Sequence, residues 1–153
     1  QGVIWTAGQR CRPPRISPEV TADARGRLAC VPDLRLRGHD SVFVVGDLAA
    51  VPQADPSPAG SLPTTAQVAF QQAPVVAANL LRSLRGEPLQ EFRWNDLGEM
   101  LSLGKGEATV TGAGITLAGP AAFQVRRLAY LARLPRLSLQ LKAAAGWLAA
   151  LSP

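Results

Sequence analysis

The fold of this chain is decided by the stretch Val42-Phe43-Val44-Val45-Gly46-Asp47. Its first four residues form a continuous apolar run, which is typical of a parallel strand buried on both faces. Ligands of an open parallel sheet bind beyond the carboxyl ends of its strands, where a glycine lets them approach the backbone. Asp47 can then accept hydrogen bonds from ligand hydroxyl groups. An ordinary strand-ending Gly-Asp turn is the alternative interpretation.

Two further strands are predicted upstream of this stretch. They are Val3-Ile4-Trp5, with Thr6-Ala7-Gly8 as a tight exit, and Leu28-Ala29-Cys30-Val31. The residues between them, 9–20, are rich in Arg and Pro and are predicted to be an extended crossover.

Downstream, apolar residues at helical spacing predict a helix over residues 66–85, closed by Gly86. Thr64 or Thr65 can cap its start, and Pro74 predicts a kink near residues 70–74. The first turn offers N–H groups and partial positive charge, which suit an oxygen that gains negative charge during a reaction.

Gln67 and Gln71 lie one turn apart on this helix, so they share a face and can meet a neutral polar ligand. The alternative is a capped amphipathic helix with solvated glutamines. Residues 91–118 change to an alternating pattern interrupted by glycines, which predicts a short antiparallel meander. Two helices follow, the first from Pro120 to about Leu134 and the second from there to about Leu151.

The charge of the chain is concentrated at its carboxy-terminal end. Residues 1–107 hold all 11 acidic residues and 11 of the 16 Lys and Arg, so residues 108–153 carry the whole net charge of +5. Basic amphipathic helices containing a Trp are typical of an interfacial membrane anchor. The expected contacts are Arg126, Arg127, Arg133 and Trp147, and the alternative is a docked helical hairpin with solvated arginines.

Other classes of site are disfavoured by the composition. Cys11 and Cys30 form no C-x-x-C pair and His39 is the one histidine, so neither a redox dithiol nor a metal site is predicted. Few aromatic residues accompany the basic charge, which disfavours nucleic acid as a partner. No signal peptide and no apolar run long enough to span a bilayer are predicted.

Four motifs together resemble the type II NAD(P)H:quinone oxidoreductases. In chain order they are Val3-Ile4-Trp5-Thr6-Ala7-Gly8, Val42-Phe43-Val44-Val45-Gly46-Asp47, Ala66-Gln67-Val68-Ala69-Phe70-Gln71-Gln72 and Leu97-Gly98-Glu99-Met100-Leu101-Ser102-Leu103-Gly104. The chain looks most similar to the cyanobacterial and plastid branch that reduces demethylphylloquinone and related prenyl quinones. Leu128-Ala129-Tyr130-Leu131-Ala132-Arg133-Leu134-Pro135 is similar to that branch as well.

The resemblance implies an α/β fold, namely the carboxy-terminal part of a flavoprotein with two Rossmann-like domains. Residues 1–8 would end the NAD(P)H-binding domain and residues 9–85 would return into the FAD-binding domain. Residues 86–119 would form the small antiparallel meander. Residues 120–153 would form a carboxy-terminal helical hairpin that associates with the membrane.

The resemblance also implies the roles of individual residues. Gly46 and Asp47 would hold the ribitol or phosphate region of FAD, and the flavin pyrimidine edge would lie against Thr65, Ala66, Gln67 and Val68. Ala7 and Gly8 would lie near NAD(P)H. Quinone would be bordered by Gln67, Phe70 and Gln71. No residue is expected to act as a catalytic nucleophile, acid or base, because the flavin carries the redox chemistry.

The function expected from the resemblance is electron transfer from NAD(P)H through FAD to a membrane quinone of the demethylphylloquinone or plastoquinone type. The enzyme would be peripheral on the cytoplasmic or stromal face of a thylakoid or plasma membrane. Neither glycine-rich G-x-G-x-x-G loop lies in this sequence, so the fragment alone is expected to bind neither cofactor well. A non-catalytic interaction, dimerisation or membrane-binding module is the alternative, and a homodimer is left open.

Overall fold

The computed structural model describes residues 2–6, 8–15, 20–53 and 60–149. They form a mixed α/β structure that divides into two compact units, Gln1–Asn95 and Asp96–Pro153, called unit 1 and unit 2 below. The finer division into four segments that the sequence suggested stays a prediction.

Unit 1 is built on very short paired segments. Strand β1 (Leu28–Ala29) pairs in parallel with strand β2 (Ala49–Ala50), and a single turn of 3-10 helix, Gly46–Leu48, leads into β2. Apolar side chains from these segments and their neighbours form one buried core, consisting of Leu28, Cys30, Leu34, Leu36, Val44, Ala49, Val51, Leu62, Val68 and Phe92.

The apolar run at residues 42–45 is not the parallel strand that its composition predicts. Phe43 forms an isolated antiparallel bridge with Arg35, and the Val44 N–H donates to the Leu34 carbonyl at 2.9 Å. Val44 is buried, whereas Val45 is exposed. Within the described residues this run is paired on one side only, so it contributes side chains to the core without joining a ladder. The parallel pairing lies instead between β1 and β2.

The strand predicted at Val3-Ile4-Trp5 is also wrong, because these residues pair with no strand in the described part of the chain. All three side chains are more than four-fifths exposed. A strand needs a hydrogen-bonded neighbour, and apolar composition alone does not supply one.

Helix α1 (Ala66–Arg85) matches its predicted bounds. Thr65 is the amino-terminal cap, since its Oγ1 accepts the Val68 N–H at 3.3 Å. Gly86 ends the helix in the left-handed conformation at φ 68°, and its N–H donates to carbonyls of the last turn. The helix therefore has a well-defined start, which matters for the candidate site.

The segment between α1 and the meander is irregular, although Phe92 and Trp94 suggested a strand. No strand covers residues 87–98, and the Phe92 N–H donates to the Pro32 carbonyl at 2.8 Å. The Phe92 side chain enters the core of unit 1, and Trp94 packs against that core. The alternation of these two aromatic residues thus reflects packing at the core of unit 1 rather than strand pairing.

Unit 2 begins with the predicted antiparallel meander. Strands β3 (Glu99–Gly104), β4 (Glu107–Gly112) and β5 (Ile115–Gly119) lie in chain order, with β4 in the middle. Met100, Val110 and Leu117 stand opposite one another across the sheet.

Helix α2 (Pro120–Ala132) follows β5 directly and packs on β4 and β5, burying Ala122 and Ala108 completely. Helix α3 (Leu137–Ala149) turns back along α2, so the predicted hairpin is confirmed. Among the described helices, none combines the length and the apolar character needed to cross a membrane.

Candidate functional site

The Gly46–Leu48 turn lies against α1 in unit 1. Gly46 adopts φ 68°, a conformation that favours glycine, and its N–H donates to Oε1 of Gln72 at 2.7 Å. The helix passes close to it, since a side-chain carbon placed on Gly46 would lie 3.7 Å from Cβ of Ala69. The turn and the amino-terminal half of α1 therefore form one hydrogen-bonded assembly.

Asp47 is half-buried at the centre of this turn. Its Oδ2 accepts one hydrogen bond, from Gln9 Nε2 at 3.2 Å, and its backbone carbonyl accepts the Cys11 thiol at 3.1 Å. An ionised carboxylate can accept about four hydrogen bonds. Asp47 thus has the capacity to receive hydroxyl groups of a ligand in addition to Gln9.

The amino terminus of α1 presents small residues and a helix end. Thr65 and Ala66 are exposed, whereas Val68 is buried in the core and anchors the first turn. The first N–H groups of an α-helix have no acceptor within the helix, and its dipole places partial positive charge at this end. This end can stabilise a ligand oxygen that gains negative charge.

The glutamines of α1 are engaged by the segment that follows the helix. Gln67 Oε1 accepts the indole N–H of Trp94 at 3.1 Å. Gln71 donates from Nε2 to the Asn95 carbonyl at 2.9 Å and accepts the Asn95 N–H through Oε1 at 3.0 Å. The alternative of plainly solvated glutamines is therefore wrong. Phe70, in contrast, is 69% exposed.

A cavity of about 300 Å³ lies next to Gln9 and Cys11, the two residues that bond to Asp47. Its lining consists of Gly8, Gln9, Cys11, Arg25, Arg27 and Thr64 and thus includes two arginines. Gly8 lines this cavity, and its predicted position near NAD(P)H stays a prediction. Ala7 lies outside the described residues. The remaining lining residues were missed from the sequence.

Two of these lining residues, Arg25 and Arg27, are held by a turn around Asp23. Its Oδ1 accepts the N–H groups of Arg25 and Arg27, each at 2.8 Å, and its Oδ2 accepts from Arg27 Nε at 2.8 Å. Gly26 lies so close to the Cys11 carbonyl that a side chain there would overlap it. The pattern Asp-x-Arg-Gly-Arg was the available sequence signal, because Asp two residues before an Arg-Gly pair favours such a turn.

In unit 1, the pKa values of Asp23 and Cys30 are shifted by hydrogen bonds and by burial. Burial alone would raise the pKa of Asp23, but the hydrogen bonds from Arg27 and Arg25 outweigh it and lower the pKa. Burial raises the pKa of the Cys30 thiol to about 11, so this thiol stays protonated and acts as a small apolar residue. Among the described residues no cluster of His, Cys, Asp and Glu could hold a metal ion.

The predicted membrane-binding residues of unit 2 lie in the helical hairpin. The Arg127 guanidinium stacks 4.2 Å from the ring of Trp147 and 5.6 Å from that of Phe123. Arg126 and Arg133 both lie over the ring of Tyr130. The arginines are thus neither simply solvated nor paired with acids. Several apolar side chains of the hairpin are exposed around them, namely Val125, Leu128, Leu137, Leu139 and Leu141.

Comparison with known proteins identifies relatives over most of the chain. The chain is 40% identical over 147 residues to demethylphylloquinone reductase NdbB of Synechocystis, which covers 95% of the chain and 35% of that protein. It is 35% identical over 154 residues to the alternative NAD(P)H-ubiquinone oxidoreductase C1, chloroplastic/mitochondrial, of Arabidopsis thaliana, covering 96% of the chain and 29% of that protein.

A bacterial relative is the type II NADH:quinone oxidoreductase of Staphylococcus aureus, 36% identical over 126 residues, which covers 82% of the chain and 30% of that protein. The chain therefore spans about a third of the length of these curated relatives. No family profile matches the chain.

Proposed function

We propose that this chain, which belongs to the type II NAD(P)H:quinone oxidoreductase family, forms the part of such an enzyme that holds the flavin ring and the quinone. The whole enzyme would pass electrons from NAD(P)H through FAD to a membrane quinone of the demethylphylloquinone or plastoquinone type. The observation that carries the proposal is the hydrogen bond between Gly46 and Gln72, which joins the Asp47 turn to α1.

The residues around this bond fit FAD in two respects. Asp47 keeps acceptor capacity beside a cavity of about 300 Å³, which suits the hydroxyl groups of the ribityl chain. Ala66 and the first turn of α1 offer a small, partly positive surface for the pyrimidine edge of the ring. When bound, FAD would supply the two-electron chemistry. The role of the chain is to bind the ring, orient it and stabilise its negative charge.

Within the same proposal, the quinone lies against Gln67, Phe70 and Gln71. The exposed ring of Phe70 gives an apolar surface for the quinone ring. Gln67 and Gln71 are held by Trp94 and Asn95, so their amide groups are preorganised. A neutral quinone needs hydrogen-bonding groups of this kind rather than charged ones.

The basic hairpin supports a location on an anionic membrane surface. Residues 108–153 contain five Lys and Arg and no acidic residue, and exposed leucines lie among them in the described part. Apolar insertion and attraction to anionic headgroups act together in such a segment. A surface-bound enzyme would receive a hydrophobic quinone without extracting it into water.

The test is an absorbance spectrum of the whole protein, titrated first with NADH or NADPH and then with a quinone. We expect one bound flavin per chain that is bleached by NAD(P)H and restored by the quinone. Asp47→Ala should weaken flavin binding by about 1–3 kcal/mol, because ligand hydroxyl groups lose their acceptor.

Asp40→Ala is the matched control, since that carboxylate is exposed and pairs with Arg35 rather than lying in the turn. It should leave flavin binding unchanged. A whole protein without a flavin spectrum would contradict the proposed function. Equal flavin loss in the two variants would remove Asp47 from the site.

A further inference from the structure

Gln72 is a fully buried polar side chain that is not among the residues expected to contact FAD, NAD(P)H or quinone. It is 1% exposed, and its Oε1 accepts the Gly46 N–H at 2.7 Å. Burying a primary amide is unfavourable unless its polar atoms are bonded, so the core retains this glutamine for its hydrogen bonding. The bond is long-range in sequence, since it joins residues 26 apart.

This bond fixes the position of the Asp47 turn along α1. Gly46 directly precedes Asp47, and Gln72 lies one turn beyond Val68, whose side chain is anchored in the core. Asp47 and the helix start thereby share one rigid connection. Among the described residues, Gln72 supplies the side-chain acceptor of the Gly46 N–H.

We propose that Gln72 is a positioning residue. It holds Asp47 at the position along α1 at which the Asp47 carboxylate and the first turn of the helix contact the same flavin. The inference rests on the proposed function. Gln72 does not touch the flavin; it acts through the backbone of Gly46. Without the acceptor, the turn loses its fixed register against α1, and the two contacts no longer reach the same ligand at once.

Asn79 provides a matched control on the same helix. It lies two turns further along, is 0% exposed, and also bonds backbone groups of loops. Its Nδ2 donates to the carbonyls of Asp33 and Gln90, and its Oδ1 accepts the Gln90 N–H. Both residues are buried amides that stabilise the unit, but Gln72 alone bonds the turn that carries Asp47.

The experiment compares Gln72→Met and Asn79→Leu in the whole protein with bound flavin. Both changes remove buried hydrogen bonds and should lower the unfolding midpoint. Gln72→Met should also weaken flavin binding about tenfold beyond the loss seen in Asn79→Leu, and should shift the flavin absorption band. Gln72→Glu keeps an oxygen acceptor and should bind flavin more tightly than Gln72→Met.

A readout independent of the flavin is hydrogen exchange at the Gly46 amide, which should accelerate about tenfold in Gln72→Met but not in Asn79→Leu. If Gln72→Met does not fold, Gln72→Asn takes its place in both measurements, because its shorter side chain withdraws the amide oxygen from the Gly46 N–H.

Three results would overturn the proposal. Equal flavin affinity in Gln72→Met and Asn79→Leu would make Gln72 a structural amide only. Unchanged exchange at Gly46 would show that its bond to Gln72 does not hold the turn. A wild-type protein without flavin would overturn the proposed function itself. This outcome can be told apart from failure of the Gln72 proposal, because it is observed without any variant.

Discussion

The two units of the chain differ in the partners that their polar and charged side chains bond. In unit 1, several arginines pair with acids, among them Arg27 with Asp23 and Arg35 with Asp33, and buried amides bond to the backbone. In unit 2, residues 108–153 contain no acidic side chain, and Arg126, Arg127 and Arg133 lie over aromatic rings.

This difference separates two physical tasks. Directed hydrogen bonds and ion pairs within a core fix geometry, which a ligand site requires. Basic charge without acidic partners, surrounded by exposed leucines, leaves attraction available for an external anionic surface. Under the proposed function, unit 1 would hold a cofactor in one orientation, and unit 2 would bind an anionic surface without a fixed geometry.

The strongest test of the comparison is the loss of a buried amide from unit 1. Asn79→Leu removes three hydrogen bonds of a buried amide, to the Asp33 carbonyl and to the N–H and carbonyl of Gln90. We expect the free energy of unfolding to fall by about 2–4 kcal/mol, because each hydrogen bond contributes about 0.5–1.5 kcal/mol. Urea denaturation measures this change.

The control is Gln124→Leu on the exposed surface of α2. Its amide accepts one long bond of 3.5 Å from Arg127, so the expected change is within about 0.5 kcal/mol. Equal effects at the two positions would contradict the view that unit 1 depends on directed bonds more than unit 2 does.

The sequence was sufficient for elements whose signals are local. The cap at Thr65, the end at Gly86, the glycine-punctuated meander and the helical hairpin were all predicted, since caps, turns and helical periodicity depend on neighbouring residues. The strands predicted at residues 3–5 and 42–45 are absent from the structure, because pairing depends on partners distant in the chain.

The same distinction between local signals and long-range contacts applies to the candidate site. Asp47 and the start of α1 could be predicted from motifs, but the cavity lining could not, because Cys11, Arg25 and Thr64 meet only through the folded backbone. The role of Gln72 was hidden as well. A glutamine in an amphipathic helix gives no sign in the sequence that it is buried and bonded to a residue 26 positions away.

The next test addresses the charge of unit 2. Replacing three arginines together with Gln, at Arg126, Arg127 and Arg133, should weaken binding to anionic vesicles by about 3 kcal/mol. Each basic residue near such a surface contributes about 1 kcal/mol. Co-sedimentation of the whole protein with vesicles at low salt measures this. The difference should shrink at physiological salt, where exposed charges are screened within about 8 Å.

A matched variant removes the same charge from unit 1, through Arg10→Gln, Arg12→Gln and Arg15→Gln, which are all exposed. It should leave vesicle binding almost unchanged. If both triple variants lose binding equally, attraction depends on total charge, and the hairpin is a docked element without a special role. Circular dichroism checks that loss of the ring contacts around Arg127 has not unfolded the hairpin.

The smallest expected effect concerns acid stability, which should differ between the units. Hydrogen bonds from Arg27 and Arg25 overcome the effect of burial and lower the pKa of Asp23 in the folded state. A lowered carboxylate pKa gives stability that is fully present above the ordinary value of about 3.9 and is lost as the pH falls through the folded-state value. Residues 108–153 have no acidic side chain and contribute no such loss.

Asp23→Asn should therefore reduce the stability of unit 1 at pH 6 and make little difference well below pH 4, where wild-type Asp23 is itself protonated. Hydrogen exchange resolved by segment can follow both units over this pH range. In an Arg27→Gln background, Asp23→Asn should have a smaller effect that varies less with pH, because the main partner of the carboxylate is gone. If Asp23→Asn instead costs as much stability at a pH below the lowered pKa of Asp23 as at pH 6, Asp23 acts in its turn as a hydrogen-bond acceptor whatever its charge. The contrast between paired charge in unit 1 and unpaired charge in unit 2 would then not extend to acid stability.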